Sequence, residues 1–198
     1  MRRLLFCLWL AAGVALVADA REIKSFDAGW RFFNRDAAGA EAPGFADGGW
    51  RQLDVPHDWS IEGPFSATNK TGGAGGFLPS GVGWYRKQFV LPKKDSDKCV
   101  FVEFDGVMAN SDVWINGFHL GHRPYGYVSF TYELTGHLNF SGKDNVLAVR
   151  ADTSAQPASR WYSGADIYRH VRLVVTDPVH IEQWGVFVST PQVSATQA

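Results

Sequence analysis

The run Arg160-Trp161-Tyr162-Ser163-Gly164-Ala165-Asp166-Ile167-Tyr168-Arg169 crowds aromatics, two arginines and an aspartate around a small-residue turn. An enclosed core does not favour this mixture, because every charge in it needs a partner. It suits the rim of a polar cleft, where aromatic faces give shape and charged tips give hydrogen bonds. An arginine fork can donate to several hydroxyls while a tryptophan face covers the apolar side of a sugar ring. Arg160 and Trp161 are therefore candidates for holding a polyhydroxylated ligand. The opposing reading is an Arg160 paired with Asp152 or Asp166 and a Trp161 buried between sheets.

Other residues with chemical potential are more ambiguous. In Pro56-His57-Asp58-Trp59, His57 and Asp58 could be an acid-base pair, though adjacent residues rarely face each other; either Asp58 or His57 faces a substrate, or Asp58 caps a turn while Trp59 fills the core. Residues 69–83, beginning at Asn69, form a Gly-rich stretch that is no Walker loop, since no Gly-Lys-Ser/Thr closes it. A loop this long is disordered or a binding element, and Phe77, Leu78 and Pro79 within it favour the second. His119 and His122 lie three apart in a hairpin arm rather than on one helix face, which is poor spacing for a metal. No Gly-x-Ser-x-Gly elbow is present, and no pair of carboxylates stands in a recognisable acid/nucleophile context. Asn69-Lys70-Thr71 and Asn139-Phe140-Ser141 match the N-glycosylation pattern.

These residues need a scaffold. Arg2 and Arg3, an apolar run over residues 4–17 and Ala18-Asp19-Ala20 read as a signal peptide cleaved after Ala20, with an uncleaved N-terminal anchor as the alternative. The expected location is therefore outside the cytoplasm, periplasmic or extracellular, with no membrane attachment after cleavage. Cleavage would remove Cys7 and leave Cys99 alone, so stability must come from a hydrophobic core, for which about 180 residues suffice. Net charge is −1 with no basic block, which argues against a nucleic-acid partner.

Eight tryptophans, 21 glycines and 9 prolines, with short alternating runs and no helix-period stripe, point to an all-β domain. Strands are expected at Trp30–Phe33, 52–55, 83–91, Cys99–Phe104, 127–134, 145–150 and 169–176. Asn116-Gly117 between two alternating runs calls for a type I′ hairpin, because both positions must accept φ > 0. Long crossing loops favour a jelly-roll β-sandwich over a meander. Asp177-Pro178 marks a boundary, after which residues 179–188 read as a fresh strand.

Together the motifs Pro56-His57-Asp58-Trp59-Ser60-Ile61-Glu62-Gly63-Pro64-Phe65, Gly81-Val82-Gly83-Trp84-Tyr85-Arg86-Lys87, Phe104-Asp105-Gly106-Val107, Val113-Trp114-Ile115-Asn116-Gly117 and the run from Arg160 to Val171 resemble the N-terminal domain of glycoside hydrolase family 2. The similarity is greatest to bacterial β-galactosidases, and β-glucuronidases and β-mannosidases share the domain. The resemblance implies a galactose-binding-like jelly roll, then an immunoglobulin-like domain, then a TIM barrel carrying both catalytic glutamates. It divides the chain into a signal peptide (1–20), the sugar-binding domain (21–177) and the start of an immunoglobulin-like domain (178–198). A barrel alone takes about 250 residues, so no catalytic residue, metal or cofactor is expected here. The expected partners are a β-galactoside-like carbohydrate and the missing immunoglobulin-like and barrel domains.

By motif position, the resemblance assigns substrate contact to Arg160, Trp161, the loop containing Asn69 and, more weakly, Asp58. Asp166 stands where the usual motif has Gly. A stand-alone carbohydrate-binding module and a purely structural domain are the competing readings.

Overall fold

The computed structural model describes residues 21–156 and 159–195; residues 1–20, read above as a signal peptide, lie outside the described residues. Ten strands form among the described residues: β1 (Arg21–Ser25), β2 (Trp30–Phe33), β3 (Arg51–Leu53), β4 (Val82–Val90), β5 (Cys99–Phe104), β6 (Ser111–Ile115), β7 (Phe118–Arg123), β8 (Phe130–Glu133), β9 (Asp144–Asp152) and β10 (Val171–Thr176). They pair antiparallel in two sheets, one of order β1-β10-β5-β8 and one of order β3-β2-β4-β9-β6-β7. The architecture is an all-β two-sheet sandwich. Among the described residues no helix is long and apolar enough to cross a membrane.

Period-2 alternation builds the space between the sheets. From the smaller sheet come Val100, Val102 and Phe104 of β5 and Val171, Leu173 and Val175 of β10. Across the larger sheet, the register aligns Phe32 with Tyr85, Tyr85 with Val149 and Val149 with Val113 in one inward row. Fully burying each such side chain contributes about 1.5–3 kcal/mol, so the core needs no covalent staple, and Cys99 is a free thiol. The Asn116-Gly117 turn has φ of +51° and +83°, as a type I′ hairpin requires.

The larger sheet is covered on its outer face as well. Residues 34–50 fold over it, with Phe33 stacked on Trp50 at 5.3 Å and Trp84 on Trp114 at 5.3 Å. Asp36 anchors the start of this loop by accepting from the Trp84 indole (2.9 Å) and from Arg150 (3.1 and 2.9 Å). These hydrogen bonds, Arg150's foremost, hold its carboxyl down to about 2.

Residues 179–188 differ from the sequence expectation: they form no strand. They turn beside the outer face of the smaller sheet, where His180 meets the Phe101 ring, and Gln183 accepts from Thr131. A strand needs a partner ladder, and among the described residues none runs alongside this segment. The strand expected over 127–134 begins only at Phe130, because residues 124–129 are committed to a loop.

Candidate functional site

Loop residues 54–81, 105–110, 124–129, 153–156 and 159–170 meet at one end of the sandwich, and backbone hydrogen bonds tie them together. Thr153 N donates to Gly81 O, Asp152 N to Ala109 O, Asn110 N to Pro124 O and His57 N to Ile167 O. The Arg160 run thus sits on a braced platform. Met108 N donates to Asp166 O at 2.9 Å, and Asp166 N donates back to Met108 O.

Asp58 is the clamp on that run. Its Oδ1 accepts from Ala165 N and Ser60 N, both at 3.1 Å, and its Oδ2 accepts from the Tyr162 hydroxyl at 2.6 Å. It also caps the short 3-10 turn Trp59–Glu62, while Trp59 is buried. The turn-capping reading of Asp58 thus describes its contacts, and its reach to Ala165 and Tyr162 couples that cap to the Arg160 run. Asp58→Ala would leave the buried Ala165 amide without its acceptor. We expect a loss of about 2–3 kcal/mol in urea unfolding; a change below about 0.5 kcal/mol would show that the clamp is idle.

Trp161 is 61% exposed, and Arg160 is exposed with no ion pair among the described residues. The partners of the opposing reading are taken: Asp152 pairs with Arg150 at 3.2 Å, and Asp166 accepts from Tyr85 at 3.2 Å. The Trp161 indole N–H donates to the Tyr127 hydroxyl at 3.1 Å, which leaves the ring face open. Asn69 is turned to a different task. Its Nδ2 donates to Pro64 O (3.1 Å) and Phe77 O (2.7 Å), closing the Gly-rich loop on itself. The loop is ordered through such bonds, including Thr71 Oγ1 to Leu78 O and Ser60 Oγ to Pro79 O. The amides of both glycosylation motifs are engaged, since Asn139 Nδ2 donates to Asp144 O.

His57 and Asp58 face apart. His57 Nδ1 lies 2.6 Å from the Tyr85 hydroxyl and Nε2 3.3 Å from Glu62, which in turn binds Arg51 through both oxygens. Burial lowers the His57 pKa against the pull of Glu62. Tyr85 then reaches Asp166, whose carboxyl is fully buried. Burial pushes the Asp166 pKa well up, against the Tyr85 hydrogen bond. Gly83 makes this possible, because a Cβ there would lie 2.1 Å from Asp166 Oδ2. Asp112 receives both His119 (2.8 Å) and His122 (3.1 Å). Among the described residues no set of three or more His, Cys, Asp or Glu converges as metal ligands.

Sequence reasoning overlooked Tyr127 as the partner of the Trp161 indole and Tyr125 as the ring that meets Tyr127. The Pro124-Tyr125-Gly126-Tyr127 string, aromatics on either side of a turn glycine, was the available signal.

Residues 45–156 match a family described as "Beta-galactosidase second all-beta domain". The chain is 53% identical over 188 residues to a Bacteroides ovatus protein named Beta-galactosidase BoGH2A, covering 95% of this chain and 22% of that one. It is 40% identical to a Formosa agariphila protein named putative beta-glucuronidase, covering 90% and 17% respectively. A solved glycosyl hydrolase family 2 member from Bacteroides cellulosilyticus superposes with a TM-score of 0.81 at 42% identity, over 87% of this chain and 23% of that one. A beta-glycosidase from Bacteroides vulgatus gives 0.79 at 47% identity, over 81% and 21%. The chain thus spans about a fifth of the length of the relatives it matches. Sequence motifs, sandwich and solved structures converge: the chain belongs to the β-galactosidase second all-β domain family and is a non-catalytic all-β domain of the glycoside hydrolase family 2 type.

Proposed function

We propose that this domain is the jelly-roll sugar-binding domain of an exported, β-galactosidase-like enzyme, and that it supplies one wall of the substrate site. The export reading rests on the residue pattern of positions 1–20. In this reading the barrel of the parent enzyme carries the acid and the nucleophile, and an immunoglobulin-like domain links it to this one. The sandwich contributes position: it fixes the non-reducing sugar so that its anomeric carbon meets those carboxylates. Such restraint can supply several kcal/mol of a barrier.

The observation that carries the proposal is Trp161, which is 61% exposed although Tyr127 fixes its indole edge. A large aromatic held with its face in water is organised for a ligand rather than for the core. Arg160 beside it is exposed, with no ion pair among the described residues, and offers its guanidinium fork to hydroxyls.

Half a pocket binds weakly. Galactose titrated into the purified chain is expected to give a Kd above about 1 mM, whereas a self-sufficient binding module would bind well below that. Trp161→Ala should weaken binding about tenfold, the loss of roughly 1.4 kcal/mol of ring contact, with unfolding unchanged. Equal galactose affinity in wild type and Trp161→Ala would refute the proposal.

A further inference from the structure

Tyr127, which fixes the Trp161 indole, also lines a cavity of about 320 Å³ between the 108–110 and 124–127 loops on one side and residues 152–156, Ser159 and Ser163 on the other. That is near the lower end of the range for small-molecule sites and suits a single ring-sized unit. Its mouth is aromatic. Tyr125 is 60% and Tyr127 45% exposed, and their rings meet edge to face at 5.5 Å.

The cavity is built rather than slack. Tyr168 Oη donates to Gly126 O at 2.8 Å, and Asn110 ties the walls by donating from Nδ2 to Asp152 O at 3.1 Å. Gly126 lies so close to Met108 that a Cβ would come within 2.5 Å of its sulfur. The tyrosine-bearing loop is thereby pinned against the wall before any ligand arrives, which lowers the ordering cost of binding.

The polar groups indicate what fits. Among the described residues, no Lys, Arg or His lines the cavity. Its one carboxylate, Asp152, is already engaged by Arg150 (3.2 Å) and Ser154 N (2.9 Å). Ser163 Oγ accepts from Gln156 Nε2 at 2.9 Å and keeps its own proton to donate. An anionic ligand would find no cation here, and a cationic one would find its counter-charge taken. A neutral ring with hydroxyl edges and a C–H face matches the tyrosines and the serine.

We propose that this cavity is a second carbohydrate subsite, taking a neutral pyranose linked to the sugar held at Arg160 and Trp161. The inference rests on the reading of Trp161 as a sugar platform, because Tyr127 both lines the cavity and holds the Trp161 indole. It makes the ligand an oligosaccharide with a neutral second unit rather than a lone monosaccharide.

Amide and indole chemical-shift mapping of the purified chain with galactose and with lactose tests it. Galactose should move the Trp161 indole resonance alone. Lactose should also move Tyr125, Gly126 and Asn110 and bind about five- to tenfold tighter. Tyr125→Ala, a change at an exposed position, should remove the lactose advantage and leave galactose binding intact. If galactose binds at Trp161 but lactose gains neither affinity nor the second set of shifts, the subsite is overturned while the sugar platform stands. If Tyr125→Ala keeps the full lactose advantage, the subsite is likewise overturned. If neither sugar perturbs Trp161, both readings fall.

Discussion

Replacing Arg86 by methionine is expected to cost about 3–4 kcal/mol of folding stability, the largest loss from any single substitution considered for this domain. Arg86 sits on the outward row of β4, yet its side chain is only 2% exposed because residues 34–50 cover it. Its Nε donates to Asp47 at 2.8 Å, and its other nitrogens donate to the carbonyls of Ala40, Ala42 (3.0 Å) and Pro43 (3.3 Å). The guanidinium also lies 5.5 Å from the Phe45 ring centroid. One planar fork thus satisfies a whole loop turn. Methionine fills the volume but strands those acceptors, of which the Ala40 residue is fully buried. Asp47 is partly exposed and can regain water, which keeps the loss near the lower part of the range for a broken buried pair. For a domain of this size the change corresponds to a fall in Tm of roughly 10 °C. Arg86→Lys should recover part of it, since an ammonium keeps the charge but not the fork. A shift of under 1 kcal/mol for Arg86→Met in urea unfolding would show that the loop does not depend on this residue.

Arg86 also shows where sequence reading stops. In the alternating run of β4 a polar residue reads as solvent-facing, and only the loop that folds over it from residues 34–50 reverses that. The inward rows of β4, β5, β6 and β10 were legible because period-2 alternation is a local property of the chain. The Asn116-Gly117 hairpin was legible because two adjacent positive φ angles demand those residues. β1 was not, since its pairing of Arg21 with Thr176 joins opposite ends of the described chain and its Ile23 remains 55% exposed. Residues 179–188 misled for the converse reason: β-branched residues mark a strand only where a neighbouring edge is available. In the site, residue types nominated Arg160, Trp161 and Asp58. What each one touches depends on loops meeting across more than a hundred positions, as with Asp58 and Tyr162. Asn69 shows the limit clearly, because an amide reads the same whether it serves a ligand or its own loop.

Asp166→Asn is expected to change the pH dependence of stability, and the sign follows from burial. Asp166 has φ +68° and a fully buried side chain. Its Oδ2 accepts from Tyr85, while its Oδ1 has no hydrogen-bond partner among the described residues. Desolvation is the chief cause of its raised pKa; the nearby Asp58 charge adds to it and the Tyr85 bond opposes it. The folded protein therefore keeps this proton above the ordinary value of 3.8, at which the unfolded chain releases it. Its contribution to stability is fully present below that value and declines as pH rises towards the folded pKa, by about 1.4 kcal/mol per pH unit. Asparagine has the same shape and no proton to lose, so the variant carries no such slope. The carboxylates of Asp36, Glu62, Asp105 and Asp152 have lowered pKa values and act in the opposite sense, weakening the fold as pH falls. They are common to both proteins and cancel in the difference. Stability of Asp166→Asn minus wild type should therefore be smallest near pH 4 and grow as pH rises towards the folded pKa. Urea midpoints measured from pH 4 to 8 decide the matter. Parallel curves would mean that Asp166 is already ionised in the folded state, with its charge neutralised by a route other than the Tyr85 hydroxyl.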